Sequence, residues 1–300
     1  MAVRDADHLE AAFLHEIAHN PDDETAVLVY ADWLCEQDDY STACRGEFLR
    51  LESILKRGKP GAARSDLEWQ ARQLWWDHVE QWLGPVYHAV DHFSYERGLL
   101  TVETSAATLA GIDLDELASA PAWDWVRHLG VRKGGMETLA MLSEVRAPAF
   151  LVSVAVGRKS IEDAEDELPL LLGMPLLHGL AELDLSENPI GEAGCKQLGA
   201  WRGGESLRKL TLRLAQITSA GVFHLTASPH LLCLEELDLS SNLIGERGGM
   251  ALVQTAGLGR LKKLDLRFND LDWHTIAALQ KRYDSRVEAY PARRGAYGYE

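Results

Sequence analysis

The sequence predicts an α/β solenoid, with a parallel sheet on the concave face and helices on the convex face, preceded by a small all-α domain. Three observations predict it. Leu183, Leu210, Leu237 and Leu264 stand 27 residues apart, three times in succession. Around each of them one frame recurs: LAELDLSENPIGEAGCKQL, LRKLTLRLAQITSAGVFHL, LEELDLSSNLIGERGGMAL and LKKLDLRFNDLDWHTIAAL. Upstream, the first 83 residues carry apolar side chains at helical spacing instead. A fixed period of this size belongs to stacked strand-plus-helix units, each of which contacts only its neighbours.

Within each frame, alternate side chains of a short strand point inward. Leu183 and Leu185 point in, while Glu182, Asp184 and Ser186 point out. Asn188, Asn242 and Asn269 follow five residues after the anchor leucine, where a side-chain amide can bond backbone groups as the chain turns away. The second repeat has Ala215 there, which interrupts the series. Ile190, Ile217, Ile244 and Leu271 return to the core. Gly194, Gly221 and Gly248 open the helical side, and Leu198, Leu225, Leu252 and Leu279 are its core residues.

The N-terminal segment reads as four helices. Leu9, Phe13, Leu14 and Ile17 form one apolar stripe, Val27, Tyr30, Trp33 and Leu34 a second, and Phe48, Leu51 and Leu55 a third. Asn20-Pro21-Asp22 ends the first helix and caps the second. Gly58 to Gly61 is a loop. The fourth helix, from about Ser65 to Leu83, carries Trp69, Trp75, Trp76 and Trp82 on two faces, so it is expected to lie between two layers. Residues 94–103 read as a first strand. Degenerate frames follow at Val126–Val131 and Leu151–Val156, as expected of units that also cap the array. A last turn and short strand fall at 281–289. The expected domains are therefore 1–83, 84–290 with regular repeats from about 180, and a frayed tail at 291–300.

One face of the sheet is left open, and its residues can be named from the register. Before the anchors stand His128, Ser153, Glu182, Lys209, Glu236 and Lys263; after them stand Asp184, Thr211, Asp238 and Asp265. Arg132, Ser186, Arg213, Ser240 and Arg267 come two residues later. The row Glu182–Lys209–Glu236–Lys263 alternates in sign across strands about 4.8 Å apart. Mutual pairing that keeps an exposed sheet hydrated is the first expectation for it. Ser153, Ala155 and Gly157 make a small-residue gap beside His128 and Arg132 into which a partner side chain could enter.

The net charge of −16 speaks against nucleic acid as a partner, since phosphate-backbone binding needs clustered Lys and Arg. Acidic runs such as 22–24 and 162–167 read as solvated faces. Cys35, Cys44, Cys195 and Cys233 include no C-x-x-C; Cys195 and Cys233 read as core fillers, and the pattern is that of a reduced, cytoplasmic protein. No signal peptide and no membrane span are expected.

The frame LxxLxLxxNxIxxxGxxxL in residues 180–280 resembles leucine-rich repeats of the ribonuclease-inhibitor type. The N-terminal run from Phe13 to Glu24, followed by Leu28-Val29-Tyr30-Ala31-Asp32-Trp33-Leu34 and Arg45-Gly46-Glu47-Phe48, is similar to a bacterial repeat-companion domain that precedes repeat arrays. The first resemblance implies binding of a protein or peptide. The second brings no established activity, and Asp32, Arg45, Glu47 and Arg50 are read as an internal salt-bridge network.

His15-Glu16-Ile17-Ala18-His19 is a literal H-E-x-x-H on a helix, the arrangement in which two His ligate zinc and Glu activates water. Asn20-Pro21 ends that helix at once, and no third ligand stands at a diagnostic spacing, Glu36 and Glu47 being the nearest candidates. His88 and His92, with Asp91, form a second i, i+4 pair. No phosphate loop, nucleophile elbow or Cys–His site occurs. The expectation is a non-enzymatic scaffold or adaptor without a cofactor, binding a protein or peptide on the concave face. A zinc-dependent hydrolase at His15, Glu16 and His19 is the alternative.

Overall fold

A computed structural model describes residues 2–20, 23–58, 62–132 and 135–291, apart from the side chains of 2–7, 62 and 63. The chain forms two compact units, Met1–Leu129 with Val145–Leu151, and Gly130–Glu144 with Val152–Glu300.

The first unit begins with α1 (Ala2–His19), α2 (Glu24–Cys35), α3 (Tyr40–Arg57) and α4 (Ala62–Leu83), followed by the single turn α5 (Pro85–His88). Asp23 caps α2 by accepting from the Thr25 amide at 2.8 Å; of the stretch expected to cap it, Pro21 and Asp22 lie outside the described residues. Asp39 caps α3 in the same way. Leu14 and Ile17 are buried, whereas Leu9 is 45% exposed, so the α1 stripe narrows toward its start. Helices α2 and α3 touch closely at Gly46, where a Cβ would lie 2.6 Å from the Ala31 carbonyl oxygen.

The expected single strand at 94–103 is instead an antiparallel hairpin, β1 (His92–Glu96) and β2 (Leu99–Thr104). Arg97 and Gly98 make its turn with φ of +55° and +88°, the two successive left-handed residues that a tight hairpin needs. Gly98 also sits against Tyr30, where a Cβ would be 2.9 Å from a ring carbon. Three short helices, α6 (Ala106–Leu109), α7 (Leu114–Ser119) and α8 (Pro121–Asp124), lead to β3 (Val126–Val131). The Leu100 amide donates to the Trp125 carbonyl at 2.8 Å. Residues 145–151 join this unit because Arg146 pairs with Asp124, which also accepts from the Ala149 amide.

Phe48, Trp75, Trp82 and Tyr95 stack edge and face with centroids 5.3–6.2 Å apart. The Trp82 indole donates to the Ser41 carbonyl at 2.9 Å. Helix α4 is not covered on two faces, since Trp69 and Trp76 are 63% and 67% exposed. Trp75 and Trp82 share one stripe, seven residues apart; Trp69 and Trp76 share another, rotated by about 120° at 100° per residue.

Glu52 on α3 faces the hairpin turn. Burial, then the charge of Glu96, pushes its carboxyl up to about 7, against the opposing pull of Lys56 and the Arg97 backbone amide. Between the ordinary value and about 7 the folded chain keeps a proton that the unfolded chain has released. Stability from this group is therefore fully present below the unfolded value and is lost as pH rises through about 7. Glu52→Gln should raise stability at neutral pH by about 1–3 kcal/mol and flatten that slope. Urea midpoints measured on both sides of the window test this; an unchanged slope in the variant would refute it.

The second unit contains α9 (Gly135–Ser143), β4 (Ser153–Val156), α10 (Glu167–Leu172), β5 (Glu182–Asp184), α11 (Gly191–Ala200), β6 (Lys209–Thr211), α12 (Ser219–Thr226), β7 (Glu236–Asp238), α13 (Gly245–Gln254), β8 (Lys263–Asp265), α14 (Trp273–Tyr283) and β9 (Val287–Glu288). Strands β4 to β9 pair in chain order and all in parallel. Leu183 faces Leu210, Leu210 faces Leu237, and Leu237 faces Leu264, so the 27-residue period is the sheet register itself. These leucines and Leu185, Leu212, Leu239 and Leu266 are at most 2% exposed. Cys195 is fully buried and burial pushes its thiol up to about 12, which suits an inert filler. Cys233 departs from the expected core role; it is half-buried, with Arg260 3.7 Å from its sulfur.

The asparagines bind successive turns together. Asn188 accepts from the Ser160 and Ile161 amides at 2.8 and 3.0 Å and donates to the carbonyls of Val156, Leu185 and Ser186. Asn242 and Asn269 bond the turn before them in the same manner. At Ala215 the side-chain link is missing, and backbone bonds span that corner, the Glu187 amide to the Arg213 carbonyl at 2.8 Å and the Gly191 amide to the Ala215 carbonyl at 3.0 Å.

Candidate functional site

The strands of the regular repeats are three residues long, and in three of the four the last residue bonds the turn that follows. Asp184, Asp238 and Asp265 each accept from the amide two residues on, at 2.8 to 3.0 Å. The third residue after the strand's last one adopts a left-handed conformation in every regular repeat: Glu187, Leu214, Ser241 and Phe268 have φ of 53° to 60°. The open face is thus a narrow band of half-buried outward side chains above a continuous leucine floor.

In that band, Asp184, Lys209, Thr211, Glu236, Asp238, Lys263, Asp265 and Arg267 surround a depression of about 320 Å³. The sign-alternating row has the expected register, Glu182 beside Lys209 beside Glu236 beside Lys263. Its mutual pairing is weaker than the register suggests. Among the described residues, the row's one ion pair is Lys209 with Glu182 at 3.9 Å. The tighter pairing lies one residue earlier, where Glu235 meets Lys262 at 2.6 Å and Arg208 at 3.7 Å. The Lys262 hydrogen bond, first among the causes, holds the Glu235 carboxyl below its ordinary range.

Arg267 is committed. It clamps the Asp265 carboxylate through two nitrogens, with Nη2–Oδ2 at 2.5 Å, and reaches Glu288 at 3.3 Å. Asp265 is only 3% exposed as a result, where the alternation alone places it on the open face. Arg213 is exposed and makes no ion pair among the described residues. Lys263 is likewise exposed.

The remaining candidates divide. Ser153 lies in this second unit, beside Glu182 in the register. The small-residue gap is not open at its far end: a Cβ on Gly157 would lie 2.5 Å from the Val131 carbonyl oxygen and 3.2 Å from the Arg132 Cα. Gly157 is a close backbone approach, with its amide donating to Val131 at 2.7 Å. His128 belongs to the first unit and lines a cavity there with Lys56 and Arg97.

The H-E-x-x-H segment is regular helix. The His15 and His19 rings stack at 4.0 Å, His19 Nδ1 lies 2.8 Å from the His15 carbonyl oxygen, and Glu16 accepts from the Asn20 amide at 2.6 Å. Glu47 lies 3.6 Å from Arg50. Among the described residues no group of three or more His, Cys, Asp or Glu is placed to hold a metal ion. His88 approaches Glu80 at 3.4 Å, and Asp91 accepts from Thr108.

The surface also carries large apolar side chains that the repeat register does not mark. Leu214, Leu243, Phe268 and Trp273 are 44%, 65%, 73% and 71% exposed, the first three in segments that leave the strands for the helices and Trp273 at the start of α14. The available signal was Phe268 itself, a large aromatic at the repeat position that Glu187 and Ser241 fill elsewhere.

A Leucine Rich repeat family model matches residues 230–253. No curated protein matches the chain. Among solved structures, a crystal structure of a protein from Bacteroides fragilis is similar over 78% of this chain and 86% of that one, at 10% identity and a TM-score of 0.36. No helix among the described residues is long and apolar enough to cross a membrane. The parallel register, the asparagine links and the family match together make the fold a leucine-rich-repeat solenoid with a helical region before it. Repeats of this kind have a general role in protein interaction.

Proposed function

We propose that the protein is a non-enzymatic scaffold or adaptor whose open repeat face binds a protein or peptide. The observation that carries this reading is the uncovered band on β5 to β8. It combines a depression of about 320 Å³ with outward charges of both signs, of which Arg213 has no ion-pair partner among the described residues. Parallel sheets normally have both faces covered, so an uncovered one offers backbone-anchored side chains to a partner. Glu182, Asp184, Glu236 and Asp238 supply acid; Lys209, Arg213 and Lys263 supply base. Charges so arranged favour selection of a partner more than raw affinity. Leu214, Leu243, Phe268 and Trp273 give the rim apolar area that a charged band lacks. The helical region, with Trp69 and Trp76 outward, provides a separate surface for a second partner.

The double variant Lys209→Glu/Arg213→Glu should reduce partner capture by tenfold or more, on the order of 1.4 kcal/mol, with the unfolding midpoint unchanged. Quantitative pull-down with mass spectrometry, wild type against variant, reads this. Capture of the same proteins at equal yield removes the open face as the site.

A further inference from the structure

The first compact unit holds a cavity of about 290 Å³ that has no part in the repeat face. In a chain with 30 basic residues against 46 acidic ones, its wall brings together Lys56, Arg97, Arg127 and His128 with a single carboxylate, Glu96. Local composition is thus opposite in sign to the chain as a whole. Small-ligand sites are concave, of this order of size, and carry a few convergent polar groups.

The cations arrive from different elements. Lys56 comes from the end of α3, Arg97 from the β1–β2 turn, and Arg127 and His128 from β3. Lys56 and Arg97 make no ion pair within 4.0 Å among the described residues, although Lys56 also acts on the Glu52 carboxyl at longer range. Arg97 also occupies a left-handed position at φ +55°, where asparagine or glycine sits with less strain. Thr101 adds a hydroxyl to the same wall. Guanidinium and ammonium donors beside a hydroxyl are the chemistry that receives an oxyanion.

We propose that this cavity binds the oxyanion group of a small molecule, a phosphate monoester being the class that matches its charge. Glu96 sets the limit on affinity, because a fixed carboxylate on the wall repels the ligand.

Inorganic phosphate is the probe, titrated into the full chain at constant ionic strength against chloride and acetate, with backbone amide NMR shifts as the readout. Saturable shifts are expected at residues 94–101, with affinity in the millimolar range and weaker for acetate. Lys56→Gln/Arg97→Asn, in which asparagine keeps the left-handed turn, should weaken phosphate binding by at least about tenfold. Glu96→Gln should tighten it about two- to fivefold. Shifts that do not saturate by about 50 mM, or an affinity unchanged in both variants, overturn the site. Acetate binding as tightly as phosphate overturns the assignment of ligand class.

Discussion

Arg45→Ala should destabilise the first unit by about 3–5 kcal/mol, one of the two largest losses expected from a single substitution in this chain. The Arg45 side chain is 6% exposed and bonds Glu10 at 2.5 Å. The Tyr30 hydroxyl donates to the same carboxylate oxygen at 2.7 Å, and the guanidinium lies over the Trp125 ring at 4.2 Å. One cation therefore holds α1, α2, α3 and the segment before β3. Removing it leaves a cavity, a carboxylate whose main counter-charge is gone, and an aromatic face without its cation. Burial pushes the hydroxyls of Tyr30 and Tyr95 above their ordinary values, so both stay neutral and leave Glu10 as the charge that Arg45 answers. The control is Asp32→Asn. Its bridge to Arg50 has similar distances, 2.6 and 2.8 Å, but joins side chains that are 61% and 38% exposed. Such a pair is worth about 0–1 kcal/mol. Urea unfolding of both variants separates the two cases; equal losses would mean that Arg45 acts as ordinary surface charge.

That contrast also shows what could be read from the sequence. Arg45, Asp32, Glu47 and Arg50 are recognisable as charged positions of three short helices, and Arg50 does join Asp32 and Glu47. The partner of Arg45 is Glu10, 35 residues away, and no local spacing marks such a contact. In the second unit, by contrast, the period makes long-range contacts local in pattern: a residue meets its counterpart one repeat on. Strands, asparagine links and outward rows followed from that register. What did not follow was set by side-chain reach. The outward row pairs less than its register suggests, with Lys209 and Glu182 3.9 Å apart, while the tight pairing falls one position earlier, where Lys262 and Arg208 meet Glu235. The hairpin was hidden because its turn is Arg97-Gly98, without the Asn-Gly or Asp-Gly that signals one. Exposure of Trp69, Trp76 and Phe268 depends on what packs beside them, which composition does not encode.

Asn242→Ala should cost about 3–5 kcal/mol, as much as a large core truncation, although it removes a polar side chain. Asn242 is 5% exposed and uses its whole amide. Its oxygen accepts from the Ala215 and Ile217 amides, both at 3.0 Å, and its nitrogen donates to the Leu212, Leu239 and Ser240 carbonyls at 2.8, 2.9 and 3.2 Å. The alanine variant strands two buried N–H groups, each costing about 1–3 kcal/mol. Asn242→Asp keeps the acceptor but loses the donors and buries a charge, so it should not rescue stability. Position matters as much as chemistry. The preceding repeat has Ala215 where an asparagine would stand, so Asn242 is the asparagine that ties the second regular repeat to the third, beside Ser219, whose hydroxyl donates to the Ile244 carbonyl. Solenoid stability is a sum of repeat and nearest-neighbour terms. The loss should therefore concentrate at one interface, and amide exchange from α13 to β9 should accelerate before that of β4 and β5. Hydrogen exchange under mild denaturant reads this order; uniform acceleration along the array, or a total loss below about 1 kcal/mol, would show that the backbone ladder alone holds the corner.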